Sequence, residues 1–135
     1  MELVHGISTH FIQSKKFKTN KIIVRFTAPL SLDTIAGRML SASMLETANQ
    51  MYPTSQDLRK HLASLYGTDM STNCFRRGKS HIVELTFTYV RDEFLSRKNV
   101  LTSQVLKLVK ETLFSPMLVR SEERRVGKEC RSRWS

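Results

Sequence analysis

Alternating apolar and polar residues mark four stretches of the chain as strands. Two of them, VHGISTHFIQ and KIIVRFTAPL, lie near the N-terminus and are separated by the polar stretch SKKFKTN, so we predict that they pair as a hairpin. Two more, about 68–74 and 81–91, are joined by the turn RRGKS. The last has the clearest alternation, with an apolar face that comprises Val83, Leu85, Phe87 and Tyr89 and a polar face that comprises Glu84, Thr86 and Thr88.

Helical spacing replaces this alternation in the segment between the two strand pairs. A helix is predicted from an N-cap at Asp33 to a point before Pro53. We expect this helix to be buried on most sides because its apolar residues cover several faces: Ile35, Ala36, Met39, Leu40, Ala42, Met44, Leu45 and Ala48. A second, shorter helix follows a capping box formed by Thr54 and Asp57, and Gly67 ends it.

A third helix is predicted from about residue 92 to residue 114, and Pro116 ends it. The resulting element order is β-β-α-α-β-β-α. This order predicts an α+β fold in which antiparallel strand pairs carry helices on one face.

Composition narrows the class of protein. At 135 residues, with 40% hydrophobic residues, the chain has the length of one domain and no apolar run long enough to span a membrane. The absence of an N-terminal signal pattern and the presence of only two cysteines favour a cytoplasmic protein.

The net charge of +10 raises the question of an acidic partner. The cations cluster where turns are expected, namely at Lys15, Lys16, Lys18 and Lys21 and again at Arg76, Arg77 and Lys79. Solvated loops are the favoured interpretation, and phosphate binding is the alternative. Because no nucleic-acid-binding motif is present, we predict no nucleic-acid partner.

Residues with catalytic or metal-binding chemistry are scattered. His5, His10, His61 and His81 do not share a metal-ligand spacing and are expected at the surface or at sheet edges. Glu46 is interpreted as a solvated or capping residue, and Cys74 as a small buried side chain rather than a nucleophile. Ser41 and Ser43 lack the sequence context of a nucleophilic serine.

Two longer stretches carry a resemblance to a known family. The pattern MYPTSQDLRKHLASLYGTDMS, followed by a strand pair and a helix ending in LVKETLFSPML, resembles the first half of a pitrilysin/insulinase-type (inverzincin) metallopeptidase repeat. The resemblance covers residues 3 to about 118. It is closest to a non-catalytic bacterial branch associated with elongation factor P modification in Gram-positive bacteria, on the residues HFIQSKKFKTN and FTAPLSLDTIAGRMLSASMLETANQMYPT.

The zinc motif of the active family members, H-x-x-E-H, corresponds in this chain to residues 39–43, MLSAS. Met39 and Ser43 match the two histidine positions, and Ala42 matches the glutamate that serves as general base. A thioether and a hydroxyl are poor zinc ligands, and alanine cannot accept a proton. The resemblance therefore implies a pseudoenzyme with no catalytic residues and no bound metal, and zinc is expected only in an active relative.

The family's substrate-binding edge strand corresponds to about residues 68–74. Met70 and Ser71 occupy the positions at which active relatives carry Asn-Ala, and Thr72 follows them. Pairing of an extended peptide with this strand uses main-chain groups and tolerates such side-chain changes. These three residues are the candidate peptide-pairing edge strand.

The last sixteen residues require a separate interpretation. RSEERRVGKECRSRWS, residues 120–135, matches the translation of a widely used sequencing adapter residue for residue. We therefore expect 1–119 to be a truncated N-terminal half of a pitrilysin-like domain and 120–135, with Cys130 and Trp134, to be an artefactual tail.

Two functions follow from the resemblance. The favoured one is a non-catalytic peptidase-like subunit that forms a hetero-oligomer with an active zinc metallopeptidase relative in the processing or modification of peptides or proteins. The alternative is a zinc metallopeptidase whose catalytic residues lie in a missing C-terminal part.

Overall fold

The architecture was obtained as a computed structural model, which describes residues 2–96 and 100–117. The interpretation of residues 120–135 as a tail falls outside the described residues. In chain order the elements are β1 (Glu2–Val4), β2 (Ile7–Ser8), β3 (Thr19–Pro29), α1 (Leu32–Thr47), α2 (Ser55–Ser64), β4 (Asp69–Arg77), β5 (Ser80–Val90), a 3₁₀ turn (Asp92–Phe94) and α3 (Val100–Phe114). The predicted α+β class is confirmed.

The central sheet has three antiparallel strands in the order β3-β5-β4. Two residues, Gly78 and Lys79, join β4 to β5, and Gly78 has a φ of +60°, the left-handed conformation that glycine adopts without strain. Pro29 ends β3 opposite Ser80. Proline is tolerated there because β3 is an edge strand of the described sheet.

The hairpin predicted from the first two alternating stretches is wrong. Ile7–Ser8 pairs with Glu2–Val4 in a separate two-stranded sheet, and β3 pairs with β5, far along the chain. Residues 9–18 between them contain no strand, and Phe11 is fully exposed. All eleven residues of β3 have a cross-strand partner on β5. A local hairpin with the short first stretch could not supply as many cross-strand partners.

One face of the sheet carries the hydrophobic core. Leu85, Phe87 and Tyr89 on β5 lie on the same face as Met70 on β4, because their positions alternate along paired strands. This face packs against α2 and α3, and the buried cluster comprises Leu58, Leu65, Met70, Leu85, Phe87, Tyr89, Leu101, Val105 and Leu108. The opposite face carries polar residues and an ion pair between Arg25 and Glu84, with 2.6 Å between Nη2 and Oε2.

Local signals account for α2 and the segment that precedes it. The Thr54 hydroxyl accepts a hydrogen bond from the Asp57 amide at 3.1 Å, as the predicted capping box requires. The helix is followed, after its C-cap Leu65, by two left-handed residues, Tyr66 and Gly67, with φ of 57° and 70°. The Tyr52 ring stacks on His61 with 4.2 Å between ring centroids.

The ends of the other two helices differ from the predictions. The N-cap of α1 is Ser31, two residues before the predicted Asp33, and its side chain makes no capping hydrogen bond. The predicted continuous helix from residue 92 is interrupted, because Asp92–Phe94 forms a 3₁₀ turn and α3 begins at Val100. Instead, the Asp92 carboxylate accepts a hydrogen bond from the Thr102 amide at 3.1 Å and thereby caps α3.

Among the described residues, the helices are each too short or too polar to cross a lipid bilayer.

Candidate peptide-binding edge beside helix α1

The residues predicted to correspond to the zinc motif lie in the middle of α1. Met39 is 51% exposed and Ser43 is also exposed, whereas Ala42 is only 2% exposed and faces the sheet. Spacings of three and four residues place all three on adjoining parts of one helix surface. The three positions therefore share one helix surface, but their side chains supply neither a good zinc ligand nor a base.

The prediction that α1 is buried on most sides is wrong for the described chain. Buried residues on the helix are Ala42 and Met44, while Leu32, Met39 and Leu40 are exposed. The apolar residues do lie on several faces of α1, but the sheet covers only one side of the helix.

A groove of about 640 Å³ separates α1 from the end of the sheet. Its walls are mostly apolar and comprise Phe26, Ala28, Val83, Gly37, Ala42 and Leu45, with Asp33, Thr34, Arg38, Ser41 and His81 completing the lining. Arg38 donates a hydrogen bond from Nη1 to the Pro29 carbonyl at 2.9 Å, which joins α1 to the end of β3. Ala42, the position of the lost base, thus faces an apolar groove.

The histidines do not converge on a metal site. The prediction of surface or edge positions is wrong for His81, which is 4% exposed on the central strand β5, with Nδ1 lacking a hydrogen-bond partner in the structure. His5 and His10 are exposed, and His61 stacks on Tyr52. Within 2–96 and 100–117, no three side chains of His, Cys, Asp or Glu lie together in a way that could hold a metal ion.

Burial shifts the pKa of three side chains around these elements. The pKa of His61 is lowered by burial and by the nearby Lys107 ammonium, and the pKa of Tyr52 is raised by burial and by the Glu111 carboxylate. Burial also raises the pKa of the Cys74 thiol, which disfavours the nucleophilic thiolate. Cys74 is partly buried, in accord with its interpretation as a packing residue.

The candidate peptide-pairing residues lie on a sheet edge. Met70, Ser71 and Thr72 belong to β4, which forms one edge of the described three-stranded sheet. Met70 is buried in the core, Ser71 is exposed on the opposite face, and Thr72 is partly buried beside α1. Helix α1 packs against this strand.

Glu46 links α1 to this edge strand. Its Oε2 accepts hydrogen bonds from the Thr72 amide at 3.2 Å and from the Thr72 hydroxyl at 2.6 Å. Glu46 lies one helical turn after Ser43, on the last turn of α1. Glu46 is exposed, as expected for a solvated residue, but it does not cap a helix: its partner is a strand residue 26 positions along the chain, which gave no signal in the sequence.

The two clusters of basic residues lie at opposite ends of the sheet. Arg76, Arg77 and Lys79 surround the β4–β5 turn, whereas Lys18 and Lys21 lie at the start of β3, which pairs with the far end of β5. Lys16 is 5.8 Å above the centroid of the Phe17 ring. The structure thus forms no single basic surface from them, in accord with the interpretation as solvated loops.

Comparisons with known proteins identify similar chains. No known protein family profile matches. A protein of Bacillus subtilis (strain 168) named "Probable inactive metalloprotease YmfF" is 30% identical over 113 residues, which cover 84% of this chain and 26% of that protein. The crystal structure of a conserved protein from Enterococcus faecalis V583 superposes with a TM-score of 0.76 and 29% identity, over 81% of this chain and 25% of that one.

The chain therefore spans about a quarter of the length of these two proteins. The similarity supports a metallopeptidase-like origin for the chain, and the name of the Bacillus relative points to a peptidase-like protein without catalysis.

Proposed function

We propose that this chain is part of a non-catalytic peptidase-like subunit that pairs with an active zinc metallopeptidase in the processing or modification of peptides or proteins. The observation that carries the proposal is the set of side chains on α1. Met39, Ala42 and Ser43 stand where a metallopeptidase of the resembled type needs two zinc ligands and a base. The name of the Bacillus relative supports the same conclusion.

The proposal includes the finer assignment of the chain. It assigns residues 1–119 to the N-terminal half of a pitrilysin-like domain of the non-catalytic branch associated with elongation factor P modification, in the cytoplasm, and residues 120–135 to an adapter-derived tail. The residue patterns support the pitrilysin-like part of this assignment, because Tyr52-Pro53 precedes α2, and Leu65-Tyr66-Gly67 and Ser115-Pro116 follow the ends of α2 and α3.

The retained function under this proposal is peptide binding without cleavage. β4 presents a free edge in the described sheet, and edge strands bind extended peptides through main-chain hydrogen bonds. Met39 and Leu40 are exposed apolar residues of α1, the helix that packs against β4, and they offer a contact surface for the active partner. A subunit of this kind would hold substrate while the partner supplies zinc.

Zinc content tests the loss of the metal site. We expect purified wild-type chain to retain no stoichiometric zinc after dialysis, as measured by elemental analysis. The double variant Met39→His with Ser43→His should gain zinc affinity, since histidines four residues apart on an exposed helix face can ligate one ion. Met39→His with Ser41→His is the matched control, because side chains two residues apart on a helix diverge. One tightly bound zinc per wild-type chain would refute the pseudoenzyme.

Co-purification tests the pairing. The chain is co-expressed with a relative from the same genome that retains H-x-x-E-H, and the two are expected to elute together from a size-exclusion column. The Met39→Glu, Leu40→Glu variant should weaken the association, because charges replace the exposed apolar contact on α1. Elution of the two proteins as separate species, together with peptide cleavage by the wild-type chain alone, would favour an enzyme instead.

A further inference from the structure

The register of β4 determines which of its main-chain groups face outward. The two-residue turn makes Arg77 and Ser80 a hydrogen-bonded pair, and such pairs then recur at every second residue. The N–H and C=O groups of Met70, Thr72, Cys74 and Arg76 therefore point away from β5, toward the outer edge. The contact between the Thr72 amide and Glu46 agrees with this register.

Glu46 occupies the position that an incoming strand would take at Thr72. Its carboxylate accepts the outward amide at 3.2 Å, as the carbonyl of a paired peptide would, and also accepts the hydroxyl of the same residue. An extended peptide that pairs across Thr72 must displace this carboxylate. The displaced Glu46 then loses the hydrogen bond from the Thr72 amide and stays beside the edge.

The geometry points to Glu46 as the residue that selects peptides with Lys or Arg opposite Thr72. In antiparallel pairing, the peptide residue opposite Thr72 exchanges hydrogen bonds with it and projects its side chain to the same face of the sheet, the face that α1 covers. A cationic side chain there gives the displaced carboxylate a partner of opposite charge, which a neutral side chain does not provide. This inference rests on the proposed peptide binding at β4.

The overall charge of the chain cannot produce a preference for peptides with Lys or Arg. The chain carries a net charge of +10, and Arg76, Arg77 and Lys79 lie near one end of β4. These cations repel a cationic peptide, so a preference for lysine would have to come from a local carboxylate. In the described structure Glu46 is the carboxylate that is hydrogen-bonded to this strand's outer edge.

Peptide titration tests the inference with the full chain. The probes are the acetylated peptide amide Val-Thr-Lys-Thr-Val and its counterpart with Gln in the central position, followed through the amide signals of Met70, Thr72 and Cys74 by NMR. In wild type the Lys peptide should bind about fivefold more tightly than the Gln peptide, the size of a partly exposed ion pair. In Glu46→Gln the ratio should fall to about one. A peptide with acetyl-lysine repeats the test in wild type and needs no variant to fold.

The outcomes separate the two proposals. Equal binding of the Lys and Gln peptides to wild type, or a preference that persists in Glu46→Gln, overturns the role of Glu46 and leaves peptide binding at β4 in place. No shift of the outward amides with any peptide overturns both. Hydrogen exchange adds a test without peptide: the Thr72 amide should exchange more slowly than that of Cys74 in wild type and as fast in Glu46→Ala, and equal rates in wild type overturn the inference.

Discussion

Helices α1 and α3 have similar lengths and similar apolar content but opposite surroundings. On α3, Leu101, Val105, Leu108 and Thr112 are buried in the core, in steps of about one helical turn. On α1, only Ala42 and Met44 are buried, and the larger side chains Leu32, Met39 and Leu40 are exposed. The difference shows that the helix on which a site could be built is the one that contributes least to the described core.

The start of each helix shows the same division. The Asp92 carboxylate caps α3 through the Thr102 amide, whereas Ser31 at the start of α1 makes no side-chain capping hydrogen bond. Stabilising interactions are thus concentrated on α3. The hydrogen bonds of Arg38 and Glu46 join α1 to the end of β3 and to the edge strand β4, respectively. We infer that α3 maintains the fold and that α1 presents a surface.

The largest expected effect comes from truncating the same residue type on the two helices. Leu108→Ala removes a side chain that is 2% exposed and should lower the free energy of unfolding by about 3 kcal/mol, because it leaves a cavity in the core. Leu40→Ala, at a position that is 40% exposed, should cost less than about 1 kcal/mol. Urea denaturation measures both. Equal losses would mean that α1 is covered as well as α3 and would remove the contrast.

Helix capping should give an intermediate effect. Asp92→Ala removes the acceptor of the Thr102 amide and should lower the free energy of unfolding by about 1 kcal/mol, whereas Ser31→Ala should change it by a few tenths at most. Asp92→Asn is the control that keeps an acceptor oxygen. Denaturation curves of the four proteins provide the measurement, and a larger loss for Ser31→Ala would contradict the division between the helices.

The smallest expected effect is a pH dependence of the stability that arises from His61, which lies near Lys107 of α3. The pKa of His61 is lowered in the folded chain by burial and by Lys107 of α3, so the folded state binds fewer protons than the unfolded state. The free energy of unfolding should therefore decrease as the pH falls through about 6.5, the ordinary histidine value, toward the lower folded-state pKa.

His61→Gln provides the control for this dependence. It should flatten the pH profile of the thermal midpoint between about pH 7.5 and 5.5, because the group with the lowered pKa is removed. A wild-type midpoint that rises as the pH falls through this range would contradict the stated direction.

Sequence patterns predicted most of the elements because their signals are local. The strict alternation in β5 placed Leu85, Phe87 and Tyr89 on the core face, and Thr54, Gly67 and Gly78 marked a cap and two turns that the structure contains. The motif at residues 39–43 could be placed on a helix for the same reason. Each of these signals depends on neighbours within about one helical turn or one strand.

The predictions were wrong where strand pairing or burial depended on residues far away in the sequence. Alternation in VHGISTHFIQ and in β3 was detected, but the partner of β3 is β5, some sixty residues away, and the sequence pattern does not encode that choice. His81 was expected at an edge, but β5 became the central strand because both β3 and β4 pair with it. Strand order is a property of the assembled sheet.

The sequence by itself determined the α+β order of elements, the helical placement of Met39, Ala42 and Ser43, and the absence of zinc-ligand chemistry among them, because periodicity and residue type are local properties. Only the tertiary structure decided which side of α1 is covered, that β5 is the central strand of the described sheet, and that Glu46 meets the outward amide of Thr72. These features depend on how the sheet and helices pack together. Packing brings into contact residues that are far apart in the sequence, and local sequence patterns do not indicate such contacts.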